Sequence, residues 1–320
     1  MKMKQKLIRA LRYIKHISEG TWIVSHFRDW TANIYARYLL IILVFPFCVF
    51  KYFRVKDIPG REGLAFVLIA KNEAPYIEEW LNFHHKQGVT HFIIYDNEST
   101  DNLHEVLKPY IDAGLVTYSI LKGRMRQYDA YNIAVHDYGR KFKYMCFIDA
   151  DEFMFVRKNP YEGGGHDIYA FIDGFMKAHP HAGGLAVHWC IFGSNGHVTK
   201  PEGGVLENYT MRSKDTFSWN SITKTICDPI RVLGFPNPHI PHYCKGFSNL
   251  DENGEIVKAA VMDNISYNLI RINHYFGKSK EEYIAKRARG LADGLGLHSM
   301  QEFDTCDQNI IHDTEILSYM

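Results

Sequence analysis

Between residues 64 and 152 the chain alternates short apolar runs with amphipathic stretches, and three of the runs end in polar clusters. Leu64 to Ala70 is apolar throughout, the pattern of a strand buried on both faces. Pro75 then opens a helix at its first turn, with Ile77, Trp80, Leu81 and His84 as the inner stripe and Gly88 as its stop. His91 to Tyr95, Leu115 to Ile120 and Tyr144 to Ile148 read as further strands. Leu103 to Tyr110 and Arg126 to Arg140 read as further helices. A βαβαβαβ order demands right-handed crossovers. The expected fold class is therefore α/β, Rossmann-like, with a mostly parallel sheet and helices on both faces. Such sheets bind ligands at the carboxyl ends of their strands. Lys71-Asn72-Glu73, Asp96 to Asp101 and Asp149 to Glu152 occupy those ends and are predicted to meet in one cleft.

The second half is less regular. Leu185 to Cys190 reads as a strand, whereas His188-Trp189, Gly193 to His197 and Asn273-His274-Tyr275 read as polar-aromatic clusters in loops. Residues 290–320 contain no Lys or Arg and six acidic residues. That reads as a solvated tail, but Leu291, Leu295, Leu297, Ile310, Ile311 and Ile316 argue that it packs.

The formal net charge of +1 excludes a wholly basic nucleic-acid binder but hides a division. Residues 1–56 carry +9 and the remaining 264 carry −8, which divides the chain into an N-terminal segment, 1–56, and a domain, 57–320. In the first segment Leu7, Ile8, Leu11 and Ile14 recur at helical spacing opposite Lys2, Lys6, Arg9, Arg12 and Lys15, a basic amphipathic helix without signal-peptide character. Tyr38 to Phe50 is an uncharged run of 13 residues, short of the roughly 20 needed to span a bilayer. Pro46 is expected to break it. An interfacial or re-entrant anchor on an anionic membrane surface fits this pattern, and phospholipid suits it better than nucleic acid. The rival is a core helix docked on the domain.

The six cysteines (48, 146, 190, 227, 244 and 306) form no CxxC pair and sit in apolar surroundings, so they read as free buried thiols. Asn97, Asn208 and Asn264 head formal glycosylation sequons, which matter only in a secretory compartment.

Asp149-x-Asp151 follows an apolar strand. Two carboxylates at i and i+2 of extended chain face one side and suit Mn²⁺ or Mg²⁺. The plain alternative is a turn-capping acidic pair. Asp96-Asn97-x-Ser99-x-Asp101 caps the next helix or offers acceptors to a base or ribose. His274 is placed to complete a metal site, and Lys278 to neutralise a phosphate.

Five ordered blocks carry a resemblance. They are Ala70 to Trp80 with His84 to Val89, Tyr95 to Asp101, Phe147 to Phe153, Trp189 to His197, and Asn273 to Ser279 followed by Glu281-Glu282-Tyr283. In order and spacing they resemble glycosyltransferase family 92 and its bacterial family 2 relatives from about residue 64 to 290. The resemblance implies a GT-A fold, a nucleotide-sugar donor, usually UDP-linked, and a divalent metal, Mn²⁺ or Mg²⁺. It implies Asp96 at the uracil, Asp149 and Asp151 at the ribose and metal-bound diphosphate, and His274 completing the metal site. Lys71, Asn72 and Glu73 would line the nucleotide pocket, with Lys224 and Lys278 at the diphosphate. Transfer would be inverting, moving a hexose from UDP-galactose or UDP-glucose to a hydroxyl of a glycan or lipid-linked glycan in cell-envelope polysaccharide synthesis. The base is not marked by a motif. Glu207, Asp215 and Asp228 are candidates and Glu207 is favoured. Trp189, Phe192, Tyr209 and Trp219 would stack on acceptor sugars or fill the core. A short anchor, no stem and a sequon at the donor site place the protein at the cytoplasmic face of a bacterial inner membrane. One rival is a non-catalytic, membrane-tethered glycan-binding scaffold. Another is a haloacid dehalogenase-like phosphatase, opposed by Phe153 and by the three strands that precede the acidic pair.

Overall fold

The computed structural model describes residues 34–161, 163–289 and 299–320. The basic stretch 2–15 and Leu291, Leu295 and Leu297 lie outside these. The first half is α1 (Ile34–Phe53), β1 (Leu64–Ala70), α2 (Ala74–Lys86), β2 (His91–Asp96), α3 (Leu103–Asp112), β3 (Val116–Ile120), α4 (Gln127–Tyr138) and β4 (Tyr144–Phe147). Its strands pair in parallel, in the order β3-β2-β1-β4. Alternation along β1 divides the core. Leu64, Phe66 and Leu68 face a cluster with Trp80 and Leu81 of α2, Leu107 of α3 and Phe171 from further along the chain. Ala65, Val67 and Ile69 face Tyr131 and Ala134 of α4. Helices therefore cover both faces of the sheet.

The second half adds β5 (Glu152–Val156), α5 (Ile168–Ala178), β6 (Ala182–Ile191), the single turn α6 (Val205–Asn208), β7 (Met211–Arg212), β8 (Thr223–Cys227), β9 (Val232–Gly234), β10 (His242–Tyr243), β11 (Ser248–Leu250), β12 (Ile256–Val257), β13 (Ile270–His274), α7 (Lys280–Arg289), α8 (Met300–Cys306) and β14 (Ile311–His312). The main sheet runs β12-β11-β6-β8-β4-β1-β2-β3, with β13 pairing both β6 and β5. Strand β8 is antiparallel to both β4 and β6, so the sheet is mixed around a parallel centre. Asn273 and His274 end a buried strand rather than occupying a loop. That strand carries Arg271, which is nearly fully buried and paired with Asp313. The acidic C-terminal stretch thus packs as a counter-charge, and Arg157 holds Glu315 in the same way.

Helix α1 passes through Pro46 instead of breaking there. Proline removes one N–H from the ladder, and a helix absorbs this when packing holds its flanks. Val44 and Cys48 bury against Leu233 and Cys244 and supply that packing. No helix among the described residues is long and apolar enough to cross a membrane. All six cysteines are free and buried.

Helix α2 ends as expected, with Gly88 at φ 90° just past its last turn. Its inner face includes His84, whose Nδ1 meets the Trp80 carbonyl at 2.9 Å while Nε2 accepts the Met154 N–H at 3.0 Å. Both ring nitrogens are thereby committed with the proton on Nδ1. Burial lowers the ring's pKa to about 3, against the smaller pull of the Trp80 carbonyl. The unfolded chain binds a proton here near pH 6.5 and the folded chain does not. Stability contributed by this ring is complete above pH 6.5 and falls as pH drops toward about 3, by up to about 1.4 kcal/mol per pH unit. Urea unfolding between about pH 7 and about pH 4 measures this slope, and the mutation His84→Gln is expected to flatten it.

Candidate active site

The polar clusters at the ends of β1 and β2 are laced together. The Asn72 N–H donates to Ser99 Oγ at 3.0 Å, and the Thr100 N–H to Asn72 Oδ1 at 2.7 Å. Asn72 adopts φ 55°, in the left-handed region, to make this link. Asp101 accepts from the N–H groups of Ala74 and Leu103, so it ties the starts of both α2 and α3. Asp96 is buried, with Oδ1 on the Ser99 N–H at 2.7 Å and Oδ2 on the Tyr118 hydroxyl at 2.5 Å. These bonds fold the strand end into a turn, and it is Asp101 rather than Asp96 that accepts from the start of α3. Lys71 stands half-buried at the end of β1.

After β4 the chain does not stay extended. The Glu152 N–H returns to the Asp149 carbonyl at 3.2 Å, closing a tight turn, and the Tyr275 N–H holds the Asp151 carbonyl at 2.8 Å. The turn sends the two carboxylates to different partners. Asp149 Oδ2 pairs with Lys224 Nζ at 2.7 Å, and Oδ1 accepts from Gln127 at 3.0 Å. Asp151 Oδ2 pairs with Lys286 Nζ at 2.5 Å and lies 3.5 Å from His274 Nε2. Burial would push the Asp151 carboxyl up, but Lys286 and His274 hold it well below the ordinary range. Burial lowers the His274 pKa against the pull of Asp151, which keeps the imidazole neutral near pH 7. Lys224 is fully buried on β8, yet Asp149 and Glu152 hold its pKa well above the usual value. Burial drives the Glu152 carboxyl well above its ordinary range, against the pull of Lys224.

The expected metal set is therefore only partly assembled. No three His, Cys, Asp or Glu side chains among the described residues converge as metal ligands. Asp149 pairs with Lys224, whereas Asp151 faces Lys286 and His274. Asp151 and His274 do meet. A neutral imidazole nitrogen facing a carboxylate oxygen requires a proton or a cation between them. Mn²⁺ and Mg²⁺ commonly take one or two protein carboxylates and draw the remaining oxygens from substrate phosphates. Asp151 and His274 fit that role as a two-donor site, with the Lys286 ammonium on the same Asp151 oxygen.

Lys278 is buried, its ammonium 4.2 Å over the Tyr76 ring and within the field of Glu73 and Asp151. Burial lowers its pKa against those two carboxylates. Trp189 packs 4.3 Å from His274. Three buried polar atoms here lack a hydrogen-bond partner in the protein, namely Glu152 Oε1, Trp189 Nε1 and His274 Nδ1. Leaving such bonds unmade costs roughly 1–3 kcal/mol each, a cost tolerated where function requires it.

The base candidates fare unequally. Asp228 sits at the far end of β8, hydrogen-bonded to Arg61 at 2.7 Å, because antiparallel β8 carries its C-terminus away from the acidic turn. Asp215 is exposed and held by Arg212 and Tyr267. Glu207 stands exposed on α6. No hydrogen bond or ion pair among the described residues joins Asp215 or Glu207 to the acidic turn. Phe192 and Tyr209 are core residues, and Trp219 is half-buried against Phe276. Lys286 and Gln127 carry no sequence signal. A lysine within the strongly charged run Lys280–Arg289 has the pattern of a solvated face.

Residues 69–286 match the glycosyltransferase family 92 domain. The chain belongs to glycosyltransferase family 92. A family 92 protein of Oryza sativa subsp. japonica is 26% identical over 206 residues, covering 64% of this chain and 32% of that protein. A galactan beta-1,4-galactosyltransferase of Arabidopsis thaliana is 33% identical over 90 residues, 25% of this chain and 17% of its own length. The chain thus spans a third or less of these relatives. Among solved structures, S. aureus TarS in complex with UDP-GlcNAc is 18% identical, with a TM-score of 0.33 over 52% of this chain and 45% of that one. A likeness that distant carries no argument.

Within the family 92 domain the mutation Lys224→Met tests the buried pair. It leaves Asp149 and Glu152 without their counter-charge and is expected to cost about 3–5 kcal/mol in urea unfolding. The double mutation Lys224→Met, Asp149→Asn should recover part of that loss.

Proposed function

We propose that the protein is a GT-A glycosyltransferase moving a hexose from a UDP-sugar to a hydroxyl of a glycan or lipid-linked glycan, with inversion at the anomeric carbon. The observation that carries this reading is the convergence, inside a family 92 domain, of the Asp149–Lys224 and Asp151–Lys286 pairs with His274 at the carboxyl end of β4. The ends of β1 and β2 beside them, with Lys71, Asn72, Glu73 and Asp96, form the nucleotide side. Asp96 gives up the Tyr118 hydroxyl for a base, and Asp149, fixed by Lys224, presents its remaining lone pairs to the ribose. Lys278 and Lys286 face the diphosphate. Asp151 and His274 hold Mn²⁺ or Mg²⁺, which when bound offsets charge on the leaving diphosphate. The name of the Arabidopsis relative, a galactosyltransferase, supports galactose as the transferred sugar. Purified protein with Mn²⁺ is expected to release UDP from UDP-galactose or UDP-glucose. The mutation Asp151→Asn should lower that rate about 10²–10³-fold with the melting temperature retained. No release by the wild type with any donor would sink the transferase reading and favour a glycan-binding scaffold.

We further propose that the protein works in cell-envelope polysaccharide synthesis, peripherally at the cytoplasmic face of a bacterial inner membrane, docked through α1. Away from the buried Val44 and Cys48, the helix exposes Leu39, Leu43, Phe47, Phe50 and Phe53, each at 60% or more. Arg54 covers the Phe50 ring at 5.2 Å and Lys245 the Phe53 ring at 5.2 Å, so a basic rim borders an apolar stripe. That arrangement matches an anionic phospholipid surface. In flotation assays the full chain is expected to bind phosphatidylglycerol-containing vesicles. The double mutation Phe47→Ser, Phe50→Ser should weaken binding about tenfold or more. Equal binding by both proteins would refute α1 as the contact.

A further inference from the structure

The reaction needs a base for the acceptor hydroxyl, and among the described residues none of Glu207, Asp215 and Asp228 is joined to the acidic turn. The loop between β9 and β10 supplies a different group. It reads Pro236-Asn237-Pro238-His239-Ile240-Pro241, a histidine between prolines that fix φ on both sides. Asn237 Oδ1 accepts from the His239 and Ile240 N–H groups, both at 2.9 Å. The His239 carbonyl takes the Thr225 hydroxyl at 2.7 Å, which docks the loop on β8 one residue beyond Lys224. The imidazole is fixed as firmly as its backbone. Nδ1 lies 2.9 Å from the Thr223 carbonyl, and a carbonyl only accepts, so Nδ1 carries the proton. Nε2 is left as the lone-pair nitrogen.

Trp189 packs edge-on to His239 at 5.5 Å and lies 4.3 Å from His274, so one indole bridges the loop to the Asp151–His274 pair. Lys224, Asp149 and His274 all act electrostatically on His239. Burial and then Lys224 lower its pKa to about 4, so the ring is neutral under ordinary conditions. The residue is half-buried.

We propose that His239 is the general base. This rests on the transferase reading above. Nε2 takes the proton of the acceptor hydroxyl as its oxygen bonds to the anomeric carbon. The bond from that carbon to the diphosphate breaks, its electron pair leaves with the UDP, and the imidazolium later returns its proton to solvent. The placement suits that role in geometry, because tautomer and ring direction are set before substrate arrives, while the lowered pKa limits the ring's strength as a base.

The test uses the full-length protein with UDP-galactose, UDP-glucose and Mn²⁺, and water as the acceptor. UDP release is read alongside UDP binding by calorimetry. The mutation His239→Gln keeps a polar side chain of similar reach and is expected to lower turnover about 10²–10⁴-fold while changing UDP affinity less than about threefold. His239→Ala opens the position, and added imidazole should restore part of its rate. Turnover of His239→Gln within about threefold of wild type overturns the proposal. So does a parallel loss of UDP binding, or His239→Ala that imidazole leaves unchanged. Wild-type protein that binds no UDP defeats the nucleotide reading, and this inference with it.

Discussion

The ion pair between Lys224 and Asp149 is the interaction on which the rest of the structure depends. It joins the last parallel strand of the first half to an antiparallel strand contributed 75 residues later. An ammonium group buried without its carboxylate would cost several kcal/mol, and so would the acidic turn without the ammonium. The register Phe147↔Thr225 places Lys224 beside the end of β4, where its charge meets both Asp149 and Glu152. Strand β8 is thus an obligatory part of the sheet, and the acidic turn is complete only when the second half has folded onto the first.

The same logic separates the roles of the two aspartates. Asp149 has both oxygens accepting from protein donors, Lys224 and Gln127, and is held as a fixed acceptor. Asp151 is held by a lysine from α7 and faced by a histidine from β13, elements that meet only because β13 lies between β5 and β6. Its charge is therefore balanced by an ammonium that the Phe276 carbonyl also holds, at 3.0 Å. On the proposed reading, a diphosphate entering here would find Lys286 and Lys278 already in place and would require little reorganisation.

The first half was legible because strands buried on both faces leave continuous apolar runs, and Leu64 to Ala70 and Tyr144 to Phe147 leave no other reading. Strands β8 and β13 lack that signal. Lys224, Arg271, Asn273 and His274 interrupt their apolar residues, and the partners that make those groups tolerable in the interior are distant in the chain. Asp149, Asp151, His274 and Lys278 were recognisable by their blocks, whereas Lys224 lies in none of them, and the turn that sends the aspartates apart was not legible, since i and i+2 spacing describes extended chain. Asp228 looked suitable only because strand direction is invisible in sequence. His239 was hidden among 17 histidines, although the proline spacing around it was there to be read.

Helix α1 and the proposed base are connected through one hairpin. Val44 and Cys48 of α1 pack on Leu233 and Cys244, and the Lys245 N–H donates to the Tyr52 carbonyl at 2.9 Å. Leu233 lies on β9 and Cys244 follows β10. The hairpin that carries His239 near its tip therefore rests its base on α1. If α1 lies in a phospholipid surface, that short hairpin fixes the height of the acceptor-activating nitrogen above the lipid headgroups. An acceptor diffusing in the bilayer would then present its hydroxyl at a constant depth, whereas a free glycan gains nothing from such an arrangement. If both proposals hold, the connection from α1 through β9 and β10 to His239 would suit the lipid-linked glycan better than a free one.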